Sequence, residues 1–122
     1  MLRKSILAAA LFALFATAAN AASRCWISEF GVLAATNSGG VPAQIAALPS
    51  LVDQSTLDLS GGTAQTSAAF GSQTRFIRVV CEVQSAIKGG GTATTSSMLL
   101  PALSPEYVGV QPGATVSVIA AP

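Results

Sequence analysis

The chain has 122 residues, 51% of them hydrophobic, with six basic and five acidic side chains and no histidine. The missing histidine removes the usual base of serine and cysteine hydrolases and the commonest metal ligand. Charges this few, and none clustered, leave no electrostatic footprint for nucleic acid or anionic lipid.

Residues 1–21 read as a secretory signal peptide. Arg3 and Lys4 form a positive start, and Ile6 to Ala19 is an apolar run broken only by Thr17. Ala19-Asn20-Ala21 then supplies a small-x-small cleavage site before Ala22. The apolar run is shorter than the roughly 20 residues a membrane-spanning helix needs. The expectation is therefore an N-terminal hydrophobic signal helix that is removed, leaving residues 22–122 as one domain with no membrane association. The alternative is an uncleaved anchor. The remaining charges are Arg24, Arg75, Arg78 and Lys88 against Glu29, Asp53, Asp58, Glu82 and Glu106, a net of one negative. So weakly charged a surface gains solubility if much of it is buried in an assembly.

Beyond the leader the chain is rich in Val, Ile, Thr, Ser, Gly and Ala, with turn signals at short intervals. Arg24 to Val32 is the first strand, holding Trp26, Ile27 and Phe30. Asn37-Ser38-Gly39-Gly40 is a turn. Val41 to Ala47 alternates, and Pro42 makes it an edge strand or a strand start. Ser55 to Leu59 alternates again and ends at Ser60-Gly61-Gly62. Thr63 to Gly71 is small and polar around Phe70. Arg75 to Val83 is the strongest strand, with Ile77, Val79, Cys81 and Val83 inward and Phe76, Arg78, Val80 and Glu82 outward. Ala86 to Lys88 follows, then Gly89-Gly90-Gly91, the β-prone run Thr92 to Ser97, and Met98-Leu99-Leu100. Glu106 to Val110 is a short strand. Gln111-Pro112-Gly113-Ala114 has the Pro-Gly order of a type II turn. Ala114 to Ala120 closes the chain with Val116 and Val118 inward, Thr115 and Ser117 outward. The sum is an all-β domain: a single small antiparallel β-sandwich or jelly-roll of seven or eight short strands.

Cys25 and Cys81 form an even pair in a chain read as exported. They are either a disulfide, closing a loop worth about 4 kcal/mol, or two small buried hydrophobes that never meet. The rest of the chain offers little chemistry. Gly89-Gly90-Gly91 lacks the helix and Lys of a phosphate loop. Two cysteines alone do not make a structural zinc site. Asp53 and Asp58 read as solvated turn and strand residues rather than a glycosidase pair or a calcium site. Trp26, Phe30 and Tyr107 read as core rather than as a sugar-stacking platform. No enzyme, cofactor or metal is expected.

The order Phe70…Thr74-Arg75-Phe76-Ile77-Arg78-Val79, then Thr92 to Ser97, Leu100-Pro101-Ala102, Glu106-Tyr107-Val108-Gly109-Val110 and a final Val116 to Ala120 resembles small proteins from tailed-phage and prophage structural gene regions. Cys25 to Phe30 and Val41-Pro42-Ala43-Gln44 extend the resemblance to nearly the whole of residues 24–120. It implies a virion-associated β-sandwich, a capsid-decorating or head-fibre subunit, often trimeric, with no catalytic or ligand residues. Its partners would be copies of itself and capsid or other virion proteins. Phe76, Arg78 and Tyr107 are the expected intersubunit contacts. The leader is the departure, since phage heads assemble in the cytoplasm. It keeps a second reading open: an exported envelope or extracellular binding module, an adhesin or surface-fibre subunit.

Overall fold

A computed structural model describes residues 23–35 and 42–122. The leader, its cleavage site, the turn at Asn37–Gly40 and Val41 lie outside the described residues. Within them the protein is all-β with several antiparallel sheets and no helix.

The strands in chain order are β1 (Arg24–Phe30), β2 (Leu33–Ala35), β3 (Pro42–Ala46), β4 (Val52–Asp53), β5 (Leu57–Asp58), β6 (Gln65–Thr66), β7 (Phe76–Cys81), β8 (Ser85–Gly89), β9 (Met98–Leu100), β10 (Glu106–Gly109) and β11 (Val116–Ala120). One sheet runs β10-β7-β1-β4, with β5 also on β1. A second runs β6-β11-β8-β9, and β2 and β3 pair as a separate ribbon. Alternation explains the inner faces. Cys25 and Ile27 on β1 and Ile77, Val79 and Cys81 on β7 join Ile87, Leu100, Val116 and Val118 of the second sheet in one buried cluster with Leu59 and Phe70. A fully buried aliphatic side chain contributes about 1.5–3 kcal/mol, so these two central strand pairs carry most of the apolar stabilisation.

Glycine chemistry sets two breaks. Gly113 has φ +77° and the Ala114 N–H donates to Gln111 O at 3.2 Å, as the Pro112-Gly113 order predicts. The long first strand divides at Gly31, where a Cβ would stand 2.9 Å from Gln73 O. No other residue fits so close to that backbone, and the chain leaves β1 there for the β2–β3 ribbon.

Several details differ from the sequence reading. Thr92 to Ser97 forms no strand. It crosses the outer side of β11, where Ala93 N–H donates to Ser117 Oγ at 2.9 Å. Ser117 is consequently buried rather than outward, because a loop covers the face that alternation alone assigns to solvent. β7 ends at Cys81, so Val83 is half-buried beyond it. The short β4 had no sequence signal of its own; Leu51 N–H to Glu29 O and Gln54 N–H to Ile27 O dock it on β1 at 2.8 and 2.9 Å. Pro42 begins β3, which pairs only with β2 among the described residues, a position that suits a residue without an N–H.

Candidate functional site

Among the described residues, the outer face of the first sheet gathers the exposed aromatic chemistry. Register sets Phe30 opposite Phe76, Ser28 opposite Arg78 and Trp26 opposite Val80; on the other side of β7, Tyr107 faces Arg78 and Gly109 faces Phe76. Phe30 and Phe76 stack at 5.3 Å between ring centroids, and Tyr107 lies 6.5 Å from Phe76 in a tilted arrangement. The structure thus brings Phe76, Arg78 and Tyr107 together on one face. Of the three aromatics read as core, only Phe30 is buried. Tyr107 is 53% exposed and Trp26 37%, with the Arg24 guanidinium 5.5 Å from the Trp26 ring centre. Trp26 and Tyr107 face out because both occupy the phase opposite Ile27 and Val108.

A groove of about 370 Å³ runs along this face, lined by Phe30, Ala46, Leu48, Asp53, Arg78 and Tyr107 among others. Hydrogen bonds from Ser28 and Ser50 hold the Asp53 carboxyl below its ordinary range. Arg78 supplies the opposite charge nearby. A groove with one anion, one cation and exposed apolar walls suits a protein surface better than a small polar substrate.

A second cleft, about 400 Å³ and mostly apolar, opens where β10 approaches the second sheet. Phe70, Ile87, Met98, Val108, Val110 and Val116 contribute to its walls. It ends at the edge strands β10 and β9, and β9 exposes Met98 and Leu99.

Three other acids serve local structure. Asp58 accepts from the Ser60 N–H at 2.9 Å, and contacts with Ser60 hold its carboxyl low. Glu82, read as outward, accepts from the Arg24 N–H at 2.9 Å and from its guanidinium at 3.2 Å; these contacts lower its pKa. Glu29 is the one sequence reasoning missed. It is 2% exposed and accepts from Thr74 Oγ1 at 2.6 Å, Gly71 N at 2.9 Å and Gln54 Nε2 at 3.0 Å. Burial pushes its carboxyl up, but the hydrogen bonds from Thr74, Gln54 and Gly71 outweigh burial and hold it below the ordinary value. The signal was present in the alternation: Cys25, Ile27 and Glu29 share the inward phase, and a carboxylate there must find donors. Among the described residues, no group of three or more Cys, Asp and Glu side chains is arranged to hold a metal ion.

Cys25 and Cys81 are directly opposite on β1 and β7, with their Cα atoms 4.0 Å apart, their sulfurs at disulfide distance and both residues buried. The reading in which the two never meet falls away. The pair ties the two inner strands at one end of their ladder, opposite the Phe30–Phe76 end, in the sheet that carries the outer face.

No family model, curated protein or solved structure matches this chain.

Proposed function

We propose that the protein is a non-enzymatic structural subunit of a virion, a small β-sandwich that decorates a capsid or contributes to a head fibre through protein–protein contacts. The observation that carries this reading is the outer face of the first sheet. It exposes Tyr107, Trp26 and Leu48 around Arg78 and Asp53, while the acids Glu29, Asp58 and Glu82 are engaged in local hydrogen bonds. Exposed aromatics with a few charges are the composition of contact surfaces. The resemblance of residues 24–120 to phage structural proteins supplies the virion.

The reading is tested on particles. Virions purified from a producing host should carry the protein at a fixed stoichiometry through a density gradient, and the solubilised protein should self-associate by light scattering. A protein absent from washed particles would overturn it.

A second reading is favoured by the Cys25–Cys81 pair and the leader: an exported envelope or surface-fibre module. N-terminal sequencing separates the two. A chain beginning at Ala22, recovered from periplasm or medium, selects the envelope; an intact leader in particles selects the virion.

A further inference from the structure

The edge of the first sheet is complementary to itself. β10 is the last strand of its path, with β7 on one side and no neighbour on the other among the described residues. The Val110 N–H donates to Arg75 O at 2.9 Å. Antiparallel ladders alternate, so Val108 and Glu106 also direct their backbone groups to β7. The N–H and C=O groups of Tyr107 and Gly109 therefore point away from the sheet.

We propose that β10 pairs antiparallel with β10 of a second copy about a two-fold axis at Val108, each Tyr107 ring lying over the other copy's Gly109. This rests on the reading that the chain works through contacts with its own kind, and it makes the elementary unit a dimer rather than the trimer that the resemblance implies.

Four features of the strand fit. Centring on Val108 sets Tyr107 opposite Gly109 twice, so both outward residues of each copy exchange backbone hydrogen bonds, four in all. A Cβ at Gly109 would meet nothing within 4 Å, so the space above it is vacant. Tyr107 is the exposed ring one register step away, and Gly109 faces Phe76 on β7. The incoming ring would therefore extend the Phe30–Phe76 stack across the boundary, where an aromatic over a cross-strand glycine restores the packing that glycine lacks. On the opposite face the two Val108 side chains meet as a non-hydrogen-bonded pair, with Cα atoms about 4.5 Å apart, and cover the mouth of the apolar cleft that Val108 and Val110 line. Charge also permits it: the strand's one ionisable acid, Glu106, falls opposite Val110, so like charges sit at opposite ends of the pairing. The union buries an exposed edge that would otherwise template indiscriminate association.

The experiment uses the full chain as its host processes it. Sedimentation or light scattering over a concentration series should show a dimer. Gly109→Lys introduces a side chain into open space at a residue without a left-handed φ. Its circular dichroism should match the parent, as should its thermal midpoint at concentrations where the parent is dissociated, while self-association falls at least tenfold. Val108→Cys should yield a disulfide-linked dimer under mild oxidation, lost when Gly109→Lys is added. An oligomer indifferent to Gly109→Lys, with no cross-link in the Val108→Cys variant, overturns this interface while leaving the contact-protein reading intact. A parent protein that stays monomeric overturns both.

Discussion

Glu29 offers the sharpest test of how the fold is held. Its carboxylate ties β1 to residues 71 and 74 directly. Through Gln54 it also reaches Ala68, whose N–H donates to Gln54 Oε1 at 3.0 Å. The same loop joins the second sheet, since Ser67 N–H donates to Val116 O at 2.8 Å and Ser67 Oγ accepts from Val116 N–H at 3.0 Å. Glu29→Leu removes the acceptor and fills a similar volume. Gly71 is exposed and recovers water, and Gln54 is half-buried and recovers part of its bonding. Thr74 is 1% exposed and its hydroxyl is stranded. An unsatisfied buried donor costs about 1–3 kcal/mol, so a loss of about 3 kcal/mol is expected after the weaker contributions of Gln54 and Gly71. The effect depends on pH with a definite sign. Glu29 has a folded pKa below its ordinary value. The part of its stabilisation that depends on ionisation is therefore complete above the unfolded pKa of about 4.3 and is lost as pH falls through the lower folded value. Urea unfolding of parent and Glu29→Leu between pH 7 and pH 2 should give a separation that is largest at neutral pH and narrows in acid. A constant separation, or a neutral-pH difference under about 0.5 kcal/mol, would refute the account.

Four further outcomes are expected. Reduction of Cys25–Cys81, or the Cys25→Ala/Cys81→Ala double variant, should cost about 4 kcal/mol for a sequence separation of 56; denaturation with and without reductant measures it, and a change below about 1 kcal/mol would count against the bond. Ser117→Ala leaves the buried Ala93 N–H without its acceptor and should cost about 1–3 kcal/mol, with faster amide exchange at Ala93 by NMR. Gly31→Ala places a methyl against Gln73 O and should destabilise by about 1–3 kcal/mol. Gly89→Ala, with nothing within 4 Å of its Cβ, should be neutral or stabilise by up to about 1 kcal/mol; equal midpoints for these two variants would undo the argument.

Period-two alternation made the two central strand pairs legible. Ile77, Val79 and Cys81 are buried as one face, and Val116 and Val118 as another, because nothing interrupts the pleat at those positions. The same rule failed wherever a second layer covers the nominally outer face. Ser117 lies under the Thr92–Ser97 loop, and no local pattern in β11 announces a loop from about twenty residues earlier. Short strands such as β4 are likewise set by a long neighbour offering free backbone groups rather than by their own residues. Phe76 and Arg78 were legible as outward, whereas Tyr107 was read among the core aromatics; the proximity of the three is a property of the β10-β7-β1 order, which alternation does not encode. The register that sets Cys25 opposite Cys81 is equally non-local.

The position of that cysteine pair bears on where the protein works. A domain of this length has a net stability of roughly 5–15 kcal/mol, so a contribution of about 4 kcal/mol is a large share. The pair joins β1 to β7, and β7 presents Phe76 and Arg78 and holds β10 with its Tyr107, so loosening the pair weakens the support of all three. A cytosolic copy with reduced thiols would keep two small buried side chains and lose the covalent tie. The proposed contact surface would then be least firmly held in the compartment where phage heads are built. Hence a virion subunit should either retain its fold with free thiols or acquire the bond after release from the cell. An envelope module should carry it from the moment of export. Alkylating the protein at the instant of lysis, before air oxidation, and counting modified cysteines by mass spectrometry separates these cases: two modified residues in intracellular protein fit the virion, and none in a leaderless chain fits the envelope.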